Sequence, residues 1–225
     1  VLRDFPRFAT EVLGWALDDL AGVPGGPALD DALAVPLPDY GETLRPTYAV
    51  IDGMGGGKTL MLVVVAPGGA PLDKPSDAHD RGWHASPQAR LERLLRDTGV
   101  HTGLLLNGAE LRLVYAPHGE SSGHITFRVE DMASVAGRSI FDAFVMLLSA
   151  ERFFGVAPEH QLPRLLRDSR TRQANVTNEL AEQMLDALHV LLAGFVAAAE
   201  RDGSALLEDA LARDDDHVYK GLLTV

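Results

Sequence analysis

Phe5, Phe8, Val12 and Trp15 recur every three or four residues, which puts them on one face of a helix over 3–20. The Gly- and Pro-containing stretch 22–27 closes that segment with turn chemistry. A strand is expected over 32–37, interrupted by Pro36. The period then shortens to two. Segments 47–52 and 59–66 are rich in β-branched residues and flank a glycine-rich loop, the pattern of a hairpin. After a long loop, Ser86 stands where it can cap a helix that Pro87 begins and that runs through Leu91, Leu94 and Leu95 to Asp97. Three more strands are expected over 102–106, 110–115 and 124–129, the first two joined by the hairpin dipeptide Asn107-Gly108. Beyond Gly137 only helical spacing remains. Phe141, Phe144, Val145 and Leu148 share one face, and a long helix over 175–201 stacks Leu180, Met184, Leu188, Leu191 and Phe195. A shorter helix is expected over 204–212.

This order predicts an α/β domain over 1–157, a mixed sheet with flanking helices, followed by an all-helical segment over 158–225. The 225 residues carry 32 acidic against 20 basic side chains, a formal charge of −12, and both segments are acidic. Such a field repels a nucleic-acid duplex unless Lys and Arg cluster locally. Cysteine is absent, which excludes disulfides, thiolate metal sites and cysteine nucleophiles. The longest apolar stretch, 185–199, is broken by His189 and falls short of a bilayer span, and no secretory leader is expected. A cytoplasmic protein without a membrane partner is expected. The chain opens on Val1 and stops inside an apolar run, 218–225, which predicts a piece of a longer polypeptide.

Several motifs carry chemistry on paper. Asp52-Gly53-Met54-Gly55-Gly56-Gly57-Lys58-Thr59 looks like a phosphate-binding loop, but that loop must open a helix, and here it opens a strand. Gly119-Glu120-Ser121-Ser122-Gly123 fits the nucleophile-elbow spacing, yet it too leads into a strand rather than a helix. Asp77, His79, Asp80 and His84 crowd one loop without a ligand-pair spacing. Arg164, Arg167, Arg170 and Arg172 form the one concentrated basic patch, either a solvated helix surface or a set of DNA phosphate contacts.

The segment from Ser86 to Val129, SPQARLERLLRDTGVHTGLLLNGAELRLVYAPHGESSGHITFRV, resembles the N-terminal region of large bacterial DNA adenine methyltransferases of restriction-modification and phage-defence systems, including Type IIG-like enzymes. The likeness extends to ETLRPTYAV upstream and DHVYKGLLTV downstream. It implies a restriction-endonuclease-like domain of the PD-(D/E)xK class, with the methyltransferase domain and its S-adenosylmethionine further on. That nuclease class needs an Asp and a Glu to hold Mg²⁺ and a Lys beside them. The matching positions here are Thr47, Val65 and Pro67, so the resemblance implies a scaffold whose active site is lost. Gln88 matches a glutamine found at the start of the following helix in that family. No Pro-Pro dipeptide exists to form an Asn-Pro-Pro-Tyr-like methyltransferase motif. The resemblance therefore implies a non-catalytic front module that aids DNA engagement or assembly, with no cofactor of its own, and with DNA and defence-system proteins as partners of the full-length protein. Two alternatives stand beside it: a free-standing interaction protein, and a nuclease whose acids have migrated to Glu11, Asp39 or Glu42.

Overall fold

A computed structural model describes residues 1–53, 56–75 and 82–202. The chain divides into two units, Val1–Arg167 and Asp168–Val225. The first is built on a six-stranded mixed sheet of order β1-β4-β5-β6-β7-β8, with β2 and β3 forming a separate two-stranded ribbon. In chain order these are β1 (Leu20–Ala21), β2 (Val35–Leu37), β3 (Glu42–Leu44), β4 (Tyr48–Asp52), β5 (Lys58–Val65), β6 (Thr102–Leu106), β7 (Glu110–Tyr115) and β8 (Gly123–Arg128). The helices are α1 (Phe5–Glu11), α2 (Pro87–Thr98), α3 (Val129–Ala133), α4 (Arg138–Leu148) and α5 (Leu162–Asp202).

The expected β4–β5 hairpin is present, and Asp52 pairs with Lys58 across its tip. The β5–β6 pair is parallel, and the crossover between these strands carries α2. Every residue of β6 is buried, because both faces of this central strand are covered and nothing along it meets water. On one face Phe5 and Ala9 of α1, Phe144 and Leu148 of α4, Phe153 and Leu162 join Met61, Leu104 and Leu113. On the other, Leu91, Leu94 and Leu95 of α2 join Leu62, Leu105, Val114 and the ribbon residues Val35, Leu37 and Leu44. Ser86 caps α2 as expected, its hydroxyl accepting from the Ala89 amide at 3.2 Å.

Three expectations need correcting. The helix over 3–20 is only α1, Phe5–Glu11. Gly14 turns the chain at φ +73°, and the Trp15 indole donates to the Leu148 carbonyl at 2.8 Å, edge-on to Phe153. That long-range anchor outweighs the local helical period, and 17–21 becomes a 3₁₀ turn followed by strand β1. The strand over 32–37 shortens to β2, preceded by a 3₁₀ turn at Asp31–Leu33. Pro36 is tolerated there because a two-stranded ribbon is all edge. The helix expected over 175–201 begins thirteen residues earlier, as α5, and Leu162 at its start is 1% exposed in the core of the first unit. The division between units falls after Arg167, within α5. The helix expected over 204–212 lies outside the described residues.

Candidate functional site

Thr47 immediately precedes β4 and Val65 ends β5, and the hairpin register brings them together. The Val65 amide donates to Thr47 Oγ1 at 3.0 Å, and the Thr47 amide donates to the Val63 carbonyl at 2.8 Å. Pro67 follows, its carbonyl accepting from the Ala70 amide at 3.0 Å. A cleft of about 760 Å³ runs past this point, bordered by Arg3, Asp4, Arg7, Tyr48, Val65 and Asn107. Asp4 is the one carboxylate among its described lining residues, and it caps α1 by accepting from the Arg7 amide at 3.0 Å. A hydroxyl, an isopropyl group and a pyrrolidine ring offer a hard cation no charge, so the residues at 47, 65 and 67 do not fit Mg²⁺.

Two of the three acids named as migrated alternatives are engaged in ion pairs elsewhere. Glu11 pairs with Arg7 at 2.8 Å on the surface of α1. Glu42 on β3 pairs with Arg90 of α2 and accepts from the Trp83 amide at 3.1 Å. Asp39 lies on the exposed 3₁₀ turn Pro38–Tyr40.

The glycine-rich loop is a hairpin tip, with the Gly57 amide donating to the Asp52 carbonyl at 2.9 Å, and Thr59 continues as strand β5. Met54 and Gly55 lie outside the described residues. The segment 119–123 leads into β8, and the Ser122 hydroxyl donates to Glu92 at 2.8 Å. Asp77, His79 and Asp80 lie outside the described residues, and among the described ones no three His, Asp or Glu side chains cluster for a metal.

The arginine patch divides. Arg164 and Arg167, in the first two turns of α5, border a second cleft of about 270 Å³ together with Lys58, His101, Thr102 and Tyr115. Strand parity explains the gathering. Lys58 shares its face with Leu60, Thr102 with Leu104, and Tyr115 with Leu113, and all three apolar partners belong to the core cluster that contains Leu162. The ends of three adjacent strands and the start of α5 therefore meet at one corner. Arg170 and Arg172 belong to the second unit, and Arg170 donates to Gln173 Oε1 at 3.0 Å.

One polar network escaped the sequence reading. Arg112, 5% exposed in β7, makes a two-pronged contact with Asp73 at 2.5 and 3.0 Å and donates to Thr126 at 2.8 Å. Gln88 joins it, accepting from Arg112 at 3.3 Å and donating to Glu92 at 2.8 Å. The hydrogen bond from Arg112 holds the Asp73 carboxyl below the usual carboxylate range. Gln88 thus serves here to satisfy a buried guanidinium. The only trace in the sequence is a charged residue at an inward position of a strand.

Comparison with family models, curated proteins and solved structures returned no match.

Proposed function

We propose that this chain is the N-terminal, non-catalytic module of a DNA (adenine-N6) methyltransferase from a restriction-modification or phage-defence system, and that it contacts DNA phosphates through the cleft at the start of α5. The observation that carries the reading is the convergence of Lys58, Arg164 and Arg167, with His101, at one corner of a chain whose formal charge is −12. A local cationic cluster is what phosphate contact requires against an acidic background. The order helix, hairpin, helix and parallel strand in α1, β4–β5, α2 and β6 supports a restriction-endonuclease-like ancestry, and so does the meeting of Thr47 with Val65. S-adenosylmethionine would belong to the parent enzyme.

The test is fluorescence anisotropy of the full chain with a labelled duplex at two salt concentrations. Two to three phosphate contacts give weak binding without sequence preference and a log–log salt slope of roughly −2 to −3. Arg164→Ala with Arg167→Ala should abolish that binding, while Arg170→Ala with Arg172→Ala should leave most of it. Binding unaffected by the first pair, or tight and salt-resistant, overturns the reading. The same DNA, supercoiled and incubated with Mg²⁺ or Mn²⁺, should remain uncut.

A further inference from the structure

We propose that α5 pairs antiparallel with α5 of a second copy of this chain. The helix has 41 residues, about 60 Å at 1.5 Å per residue, and an apolar stripe runs along its second half. Leu180 is 60% exposed, Met184 50% and Leu191 39%. A helix of this kind draws most of its stability from burying such a stripe, and a continuous exposed one marks an interaction surface.

The spacing of the stripe specifies its occupant. Leu180, Met184, Ala187, Leu191, Gly194 and Ala198 alternate at steps of four and three, the seam of a two-stranded helical pair. Three of these are large and three small. Run antiparallel, Leu180 meets Ala198, Met184 meets Gly194 and Leu191 meets Ala187 of the other copy, so each layer joins a large side chain to a small one. Run parallel and in register, Ala187, Gly194 and Ala198 each meet themselves, leaving three under-filled layers.

Charge selects the same direction. Between 162 and 172 the helix carries Arg164, Arg167, Arg170 and Arg172 against Asp168, whereas between 173 and 200 it carries Glu179, Glu182, Asp186 and Glu200. In the antiparallel register 179–200 of one helix overlies 178–199 of the other, so the two basic ends are kept apart, with Arg172 about 9 Å along the axis from the layer of Glu200. Parallel in-register pairing instead stacks Arg164, Arg167, Arg170 and Arg172 on those of the other copy.

By length and composition α5 could also cross a membrane, the one described helix that could. This corrects the expectation, drawn from 185–199 alone, that no segment is long enough. Glu182, Asp186 and His189 fall within the stripe's span but on the opposite side of the helix, where a bilayer would have to bury these polar groups and a second copy leaves them in water.

The experiment is sedimentation equilibrium of the full chain, with disulfide mapping made simple by its lack of cysteine. A dimer is expected, and Leu180→Glu with Leu191→Glu should return it to monomer while the near-ultraviolet signal of Trp15 and Trp83 is kept. Leu180→Cys and Ala198→Cys should each remain uncrosslinked alone and link readily when mixed and oxidised. A monomer at tens of micromolar overturns the proposal. So does crosslinking of either cysteine variant with itself, or uptake of the chain by neutral phosphatidylcholine vesicles as a monomer. The cysteine mapping decides the matter even if the glutamate variant fails to fold.

Discussion

In the unit Val1–Arg167, Phe144, Leu148 and Phe153 are sealed at 0% exposure, whereas in α5 Phe195 keeps 52% of its surface and Leu180 60%. Phe144 and Leu148 of α4 recur at the same helical period as the stripe of α5, so periodicity alone cannot tell a face that finds its partner within the unit from one that does not. The difference lies in what each face is offered. α4 is laid against a sheet whose central strand is already covered on its other side by α2, so its aromatic residues complete a core. Beyond Arg167 the helix also carries an apolar stripe, and its large residues stay open to water. A sheet with helices on both faces is self-sufficient, while a long amphipathic helix is half of something.

The sharpest way to break this contrast is to truncate one aromatic residue on each side. Phe144→Ala removes a ring that packs edge-on against Phe127 at 5.1 Å between centroids, and it leaves a cavity in a close-packed core. It should cost about 3–5 kcal/mol in chemical denaturation. Phe195→Ala should leave the unfolding of the α/β unit within about 0.5 kcal/mol of the parent, the usual range for exposed sites. Equal costs for the two substitutions would mean that the helix face is as buried in solution as the core.

How much of this was legible in the sequence follows from where the deciding contacts lie. The β4–β5 and β6–β7 hairpins and α2 were readable because their signals are local: alternation, Asn107-Gly108, and Ser86-Pro87 at a helix start. The helix over 3–20 was misread because its end is decided by the bond from Trp15 to Leu148, 133 residues away. The cleft was half legible. Arg164 and Arg167 stood out by spacing, but Lys58 was taken up in the apparent phosphate loop, and only the fold brings 58, 101 and 164 to one corner. Arg112 was hidden for the same reason, since its carboxylate partner is 39 residues distant.

A smaller effect tests the polar side of the self-sufficient unit. The Asp73 carboxyl, held low by the hydrogen bond from Arg112, binds a proton less readily in the folded chain than in the unfolded one. Its contribution is therefore complete above the unfolded value of about 4 and is lost as the pH falls through the lower folded value. Asp73→Asn should cost about 1 kcal/mol at neutral pH. A charge-assisted bond is worth about 1.5–3 kcal/mol, but the Asp73 side chain is 66% exposed and solvent screens it. Below pH 4 the variant and the parent should converge. A gap that stays constant down to pH 2 would mean that the amide loses packing rather than charge.

The smallest effect has the opposite sign. Thr102 opens β6 at 1% exposure, and its hydroxyl has no hydrogen-bond partner among the described residues. It shares a face with Leu104 and Leu106, so a polar atom stands where the core cluster would accept a methyl group. Thr102→Val keeps the shape, the β-branched stiffness and the strand preference while removing that hydroxyl. An unsatisfied buried hydroxyl carries a desolvation penalty, and relieving part of it should raise stability by about 0.5–1 kcal/mol in a thermal or denaturant melt. Thr102 also borders the arginine cleft, which gives the variant a second reading in the anisotropy assay. With the hydroxyl closed off, DNA binding should be the same in Val and Thr forms. A more stable variant that binds DNA less well would instead show that this hydroxyl turns outward to meet a phosphate, and that the self-sufficient unit gives up packing at this corner for the sake of its ligand.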